Sequence, residues 1–210
     1  MKVDGNRFRR ARLARFIELV ESAPKAESIR VLDVGGTRSY WEAMSDLWSH
    51  LPLHFTIVNL DEVSSDDGPY SLRAGNACNL SEYPDNHFDI VHSNSVIEHV
   101  GHWPEMSDMA REVRRLAPRY YLQTPNFWFP VEPHYRALFF QWWPEAVRAQ
   151  MLCARPHGFR QRAASIDEAM RDIQTVNLLT RRQLQELFPD ARIVNERVMG
   201  LTKSITAVRG

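Results

Sequence analysis

At 210 residues, with 44% hydrophobic and 25% charged residues, the chain has the size and composition of one globular domain, expected to span residues 1–210. Its 26 basic residues equal its 26 acidic residues, so no overall charge attracts nucleic acid or an anionic membrane. No apolar run approaches the roughly 20 residues of a membrane span, and the first ten residues lack the apolar core of a secretion signal. We therefore expect a cytoplasmic protein.

The chain opens with a predicted helix over residues 8–23, where apolar residues recur at helical spacing. The opposite face of this helix is rich in arginine, which predicts a solvated surface, with contact to a polyanion as the alternative. These arginines are Arg9, Arg10, Arg12 and Arg15.

Strands and helices then alternate as far as residue 126. Apolar runs predict strands at 29–34, 54–61, 87–95 and 119–126, and helical patterns predict helices at 40–51 and 104–117. The segment 62–71 is rich in turn-forming residues and is predicted to be a turn. This alternation is typical of a doubly wound α/β sheet.

The C-terminal part of the chain has a different pattern. Thr180 is a predicted cap for a helix over 181–188, and strands are predicted at 192–200 and 203–210. So short a connection permits an antiparallel pair but no parallel crossover. We therefore predict a mostly parallel sheet that ends in an antiparallel hairpin.

The first strand runs into a glycine turn in the stretch "VLDVGGTRSYW", residues 31–41. A backbone without side chains can approach a ligand closely, and ligands of such sheets bind beyond the carboxyl ends of the strands. The turn lacks the dinucleotide pattern G-x-G-x-x-G, and Asp33 would repel a pyrophosphate but suits an ammonium group. NAD is therefore disfavoured.

This stretch resembles the first motif of class I, Rossmann-like S-adenosylmethionine-dependent methyltransferases, although Thr37 and Ser39 occupy the family's second and third glycine positions. "IVNLDE", "AGNACNLSEYPDNHFDIV" and "HSNSVIEHV" resemble its later motifs, the last one that of the small-molecule group called methyltransferase type 11. The resemblance implies a seven-stranded sheet and S-adenosylmethionine as cofactor. The cofactor-binding residues that it implies are Asp33, Gly35, Gly36, Thr37, Asp61, Asn76, Ala77 and Ser93.

His99 follows the fourth of these strands and is the predicted general base, with structural packing as the alternative. Glu98, His99 and His102 have a spacing that also suits a metal, but we expect none. Glu132 and His134 are predicted substrate contacts. The aromatic residues within 127–176 indicate a lid over the substrate or a homodimer contact.

The sequence therefore predicts a methyltransferase that acts on a small molecule and favours an oxygen acceptor. Nucleic acid is disfavoured as a substrate because the charge is balanced and no "NPPY"-type tetrapeptide is present. The competing hypothesis is a protein of the same fold that binds the cofactor without turnover.

Overall fold

A computed structural model describes residues 7–24, 26–158 and 160–210. The expectation that the N-terminus is no secretion signal therefore falls largely outside the described residues. The helices are α1 (Arg7–Glu21), α2 (Arg38–Glu42), α3 (Trp103–Leu116), α4 (Glu145–Ala154), α5 (Ile166–Gln174) and α6 (Arg181–Leu187). The strands are β1 (Ile29–Val34), β2 (Leu53–Asn59), β3 (Ser65–Asp67), β4 (Tyr70–Ala74), β5 (Ile90–Asn94), β6 (Tyr120–Pro125), β7 (Val131–Glu132), β8 (Ala137–Leu138), β9 (Arg192–Val198) and β10 (Leu201–Arg209).

One sheet organises the fold, in the strand order β3-β4-β2-β1-β5-β6-β10-β9. Strands β4, β2, β1, β5 and β6 are parallel to their neighbours in that central run, and β10 is antiparallel to both β6 and β9. The predicted doubly wound, mostly parallel sheet with an antiparallel C-terminal pair is confirmed. The strand order reverses between β1 and β5, which is where ligands of such sheets bind.

The described sheet has eight strands, because part of the predicted turn at 62–71 is an edge hairpin. Strand β3 pairs antiparallel with β4, and Gly68 makes the turn with a φ of +58°. All three residues of β3 are exposed, so no apolar pattern marks them as a strand.

The predicted helix at 40–51 is also shorter in the structure. After α2 the chain continues as a single 3-10 turn at Ser45–Leu47. The carbonyl oxygen of Trp41 accepts the backbone N–H of Met44 (3.2 Å), only three residues later, and also the indole N–H of Trp48 (2.9 Å). The helix therefore ends early.

Helix α1 has a stripe of buried apolar residues, as predicted, but its arginine face is not uniformly solvated. Arg12 is buried, and its Nε and Nη2 atoms each lie 2.8 Å from a carboxylate oxygen of Glu196 on β9. This ion pair fastens the first helix to the edge of the sheet.

The segment 127–176 contains the hairpin of β7 and β8, helices α4 and α5, and a small core of its own. That core includes Tyr135, Phe140, Leu152 and Ile173, while Trp128 and Trp143 are exposed. Its roles as a lid or a dimer contact stay predictions. No described helix is both long enough and apolar enough to cross a membrane.

Candidate active site

The glycine turn after β1 is imposed by two close approaches. Gly35 has a φ of +72°, and a Cβ there would lie 2.6 Å from the side chain of Val96. A Cβ at Gly36 would lie 1.6 Å from Oδ2 of Asp33. Glycine is therefore required here by the packing of the chain itself, in addition to any ligand.

Two cavities open from this turn. The first, of about 340 Å³, extends from Gly35 to the loop after β4 and is lined there by Asn76 and Ala77. The second, of about 160 Å³, also begins at Gly35 and is lined by Gly36, Thr37 and Asp33. The fold thus brings six of the eight predicted cofactor residues to the walls of two cavities that share Gly35.

Asp33 is 1% exposed, and both of its oxygens already have partners. The indole N–H of Trp41 donates to Oδ2 and Nδ1 of His92 lies against Oδ1, both at 2.7 Å. A carboxylate can accept further hydrogen bonds, so a contact to the cofactor stays a prediction. The observed bonds show that Asp33 also fixes the positions of α2 and β5 relative to the turn.

Ser93 and Asp61 do not line these cavities. The side chain of Ser93 is completely buried, and its hydroxyl donates to the carbonyl oxygen of Val34 (3.1 Å). Asn94 and Ser95, the next two residues, line the site instead. Asp61 lies two residues beyond the end of β2 and is exposed, so its predicted contact with a ribose stays untested.

Asn59, which is not among the predicted site residues, ends β2 and lines the first cavity. Its Oδ1 accepts the backbone N–H of Leu60 (3.0 Å), and its Nδ2 lies 3.4 Å from the carbonyl oxygen of Gly36. An amide at a strand end, two residues before the acid, was the available signal.

His99 stands at the wall of the first cavity and contacts His134. Its Nδ1 lies 3.0 Å from the carbonyl oxygen of Thr175, which can only accept a hydrogen bond, so Nδ1 carries the hydrogen. Its Nε2 lies 3.0 Å from Nε2 of His134, whose Nδ1 lies 2.7 Å from Oε1 of Glu132. The predicted base and both predicted substrate residues thus form one hydrogen-bonded chain.

The two histidines have opposite electrostatic environments. Burial, with the nearby charge of His134, holds the pKa of His99 below its usual range despite the carbonyl of Thr175. Burial also disfavours the charged form of His134, but Glu132 outweighs it and raises the pKa of His134. His99 is therefore the neutral partner and His134 the proton donor between the two rings.

Glu98 lies behind this pair and is completely buried. Thr124 donates its hydroxyl to Oε2 (2.9 Å), whereas Oε1 has no partner among the described residues. Burial raises the pKa of Glu98 to about 7. The carboxyl group therefore changes its charge near neutral pH.

The cluster differs from the predicted metal-like arrangement. Glu98, His99 and His134 each place one ligand atom within 4.8 Å of the others, so His134 takes the place expected for His102. The backbone N–H of His102 donates to Glu105 (2.8 Å) at the start of α3. The expectation that the chain holds no metal stays a prediction.

The chain is similar to known proteins in sequence and in fold. A family model described as a methyltransferase domain matches residues 6–191. No curated protein matches the chain. Among solved structures, the CurJ carbon methyltransferase is 12% identical, with a TM-score of 0.56 over 92% of this chain and 52% of that chain.

Two further structures have similar scores. A SAM-dependent methyltransferase from Methanosarcina mazei is 16% identical, with a TM-score of 0.53 over 90% of this chain and 94% of that chain. The phosphoethanolamine N-methyltransferase 2 of Haemonchus contortus, solved with phosphomonomethylethanolamine and S-adenosylhomocysteine, is 17% identical, with a TM-score of 0.54 over 91% of this chain and 39% of that chain. The chain thus spans about half of CurJ and less than half of the Haemonchus protein. At these identities the likeness shows the fold.

Proposed function

The chain belongs to the methyltransferase domain family, and we propose that it uses S-adenosylmethionine to methylate an oxygen atom of a small-molecule acceptor, with His99 as the base. The observation that supports this proposal is the neutral imidazole of His99 at the wall of the cavity that adjoins the glycine turn. An oxygen nucleophile benefits from a base that removes its proton.

The residues at the turn fit the cofactor. The cradle at Gly35 and Gly36 has no room for side chains, and the first cavity combines apolar walls at Val58 and Val96 with the amide of Asn76. We propose that the first cavity holds the adenosine part and the second cavity holds the methionine part. When bound, S-adenosylmethionine supplies an electrophilic methyl group on a positively charged sulfur.

His99 is oriented for proton transfer by a backbone carbonyl. Because Nδ1 donates to Thr175, the lone pair that can accept a proton is on Nε2. In the structure this lone pair accepts the N–H of His134. An acceptor hydroxyl would therefore have to displace His134 before its proton could pass to Nε2 of His99. Its oxygen would then bond to the methyl carbon as the carbon–sulfur bond breaks, with the electron pair of that bond remaining on sulfur.

Glu132 controls the position of His134. Its Oε1 accepts from the ring of His134, while its Oε2 accepts the backbone N–H of Tyr135, each at 2.7 Å. We propose that Glu132 and His134 contact the methyl acceptor. Once the ring of His134 has moved away from His99, its charged form can donate a hydrogen bond to an oxygen of the acceptor.

The test is a screen of hydroxylated small molecules with methyl-labelled cofactor, followed by mass analysis of the products. With the acceptor found, His99→Gln should lower kcat by roughly 10²–10⁴-fold while leaving the affinity for S-adenosylhomocysteine almost unchanged. The wild-type rate should rise with pH through an inflection below about 6.5, because the pKa of His99 is lowered, and His99→Gln should lose this inflection.

His54→Gln is the matched control. His54 is exposed near the beginning of β2, whereas the site lies at the other, carboxyl ends of the strands. Its substitution should therefore leave kcat unchanged. Full turnover by His99→Gln, with the wild-type pH profile, would remove His99 from the mechanism. A product methylated on nitrogen or carbon alone would refute the oxygen acceptor.

A further inference from the structure

A third cavity, of about 360 Å³, adjoins the two described above. It shares Ser95 with the first cavity and Asn94 with the second, so it meets both at the end of β5. Its walls include the apolar side chains of Phe129, Val131 and Pro133. It is therefore an adjacent compartment with space for a second molecule.

Cationic side chains line this cavity without an equal number of acids. Arg9, Arg12 and Lys203 reach its surface, and no aspartate or glutamate of the described ranges does so. Glu196 lies behind it, where it is paired with Arg12 and has an oxygen 4.0 Å from Nζ of Lys203. One carboxylate thus faces two cations, and Arg9 makes no hydrogen bond or ion pair with the residues that the structure describes.

An unpaired donor lies in the same wall. Gln123 is 1% exposed, and its Oε1 accepts from Nη1 of Arg12 and from the hydroxyl of Ser95, both at 3.0 Å. Its Nε2 has no partner among the described residues. Because the guanidinium of Arg12 can only donate, the amide cannot be reversed, and the N–H donor remains unpaired.

A buried donor without a partner is costly, so such a donor beside excess positive charge indicates a ligand that supplies acceptor oxygens. We propose that the third cavity binds the methyl acceptor through an anionic oxygen group, a carboxylate or a phosphate, attached to an apolar body. This inference rests on the proposed function and adds the chemical class of its substrate. Lys203 and Gln123 hold the anionic group, while the apolar walls cover the body.

The environment of Lys203 is consistent with this role. Burial and the neighbouring charge of Arg12 lower the pKa of Lys203, and its Nζ lies 3.5 Å from the ring centroid of Phe8. A bound anion relieves the repulsion between the two cations. Arg9 also lines the second cavity, which we assign to the methionine part of the cofactor, so Arg9 is not substituted in the test.

The test uses protein saturated with S-adenosylhomocysteine and three probes, namely benzoate, phenyl phosphate and neutral benzamide, with binding measured by calorimetry. We expect at least one anionic probe to bind at least tenfold more tightly than benzamide, and the preferred anion distinguishes a carboxylate from a phosphate acceptor. Lys203→Met should weaken binding of that anion by roughly tenfold to a hundredfold, as expected for the loss of a charge-assisted hydrogen bond.

Gln123→Glu is the second variant, because it keeps an oxygen for Arg12 and Ser95 but replaces the unpaired donor with an acceptor. It should weaken the anionic probes by at least tenfold and leave benzamide within threefold of wild type. The matched control is Arg197→Met, since Arg197 is exposed on the neighbouring strand β9 and should not affect any probe.

The outcomes separate the two proposals. If S-adenosylhomocysteine binds all variants equally and benzamide binds wild type as tightly as both anions, the anionic acceptor is refuted and the methyltransferase site stands. The same conclusion follows if Lys203→Met and Gln123→Glu bind anions like wild type. If S-adenosylhomocysteine fails to bind wild type, the assignment of the cofactor cavities is refuted.

Discussion

The buried carboxyl group of Glu98 makes the stability of the fold depend on pH. Because its pKa is about 7 in the folded chain and about 4.5 when exposed, the folded state keeps its proton over a pH range in which the unfolded state loses it. At about 1.4 kcal/mol for each pH unit, the difference amounts to roughly 3 kcal/mol. Because the folded state binds the proton more tightly than the unfolded state, the loss of folding stability is absent below about pH 4.5 and complete above about pH 7.

Glu98→Gln removes the ionisation and keeps an oxygen that can accept from Thr124. We therefore expect the free energy of unfolding of the variant, minus that of wild type, to increase by roughly 3 kcal/mol from pH 4.5 to pH 8. The measurement is urea unfolding of both proteins at intervals of one pH unit, followed by tryptophan fluorescence and circular dichroism.

The change with pH is the informative quantity, because the new amide N–H can shift the variant's stability by a constant amount. Glu186→Gln is the control, since Glu186 is exposed on α6 and its difference from wild type should not vary with pH in this way. A constant difference between Glu98→Gln and wild type at every pH would show that Glu98 does not retain its proton.

Two other predictions concern the cofactor site. Asp61→Ala should weaken binding of S-adenosylhomocysteine by about 1.5–3 kcal/mol if the carboxylate accepts hydrogen bonds from the ribose hydroxyls. Calorimetry measures this loss with Glu62→Ala as the control, and equal binding by the two variants would contradict the prediction. Gly36→Ala should lower the free energy of unfolding by at least about 2 kcal/mol, because the new Cβ displaces Asp33 from Trp41 and His92. In Gly68→Ala the new Cβ meets open space, so the free energy of unfolding should fall only by the cost of a positive φ. Equal losses for Gly36→Ala and Gly68→Ala in urea unfolding would refute the clash with Asp33.

The parallel sheet could be predicted because its strands are buried on both faces and read as short continuous apolar runs. Strand β1, for example, has five buried residues out of six. The helix cap was equally local, since Thr180 accepts the backbone N–H of Gln183 three residues later. Strand β3 could not be predicted because all of its residues are exposed, and what makes it a strand is its antiparallel pairing with β4.

The site was predictable as a location but not as a network. The glycine turn and the loop at Asn76 could be placed at the same edge because the carboxyl ends of parallel strands meet there. The contact of His99 with His134 joins residues 35 positions apart, with α3 and β6 between them in the chain, and no spacing rule predicts it. Likewise, whether Ser93 or Ser95 faces the cavity depends on the positive φ of Ser95, which turns the chain at that residue.

The ion pair between Arg12 and Glu196 has a consequence for how the chain is made. The two residues are separated by 184 positions, so a nascent chain exposes the arginine long before its carboxylate partner exists. Until then the guanidinium of Arg12 has only the neutral oxygens of Asn94 and Gln123 as partners, so its buried charge is uncompensated and docking of α1 on the sheet is disfavoured. At about 5–20 residues per second, the first helix waits roughly ten seconds or more for β9 to be synthesised. Helix α1 is therefore among the last elements to take its place, although it precedes the whole sheet in the chain.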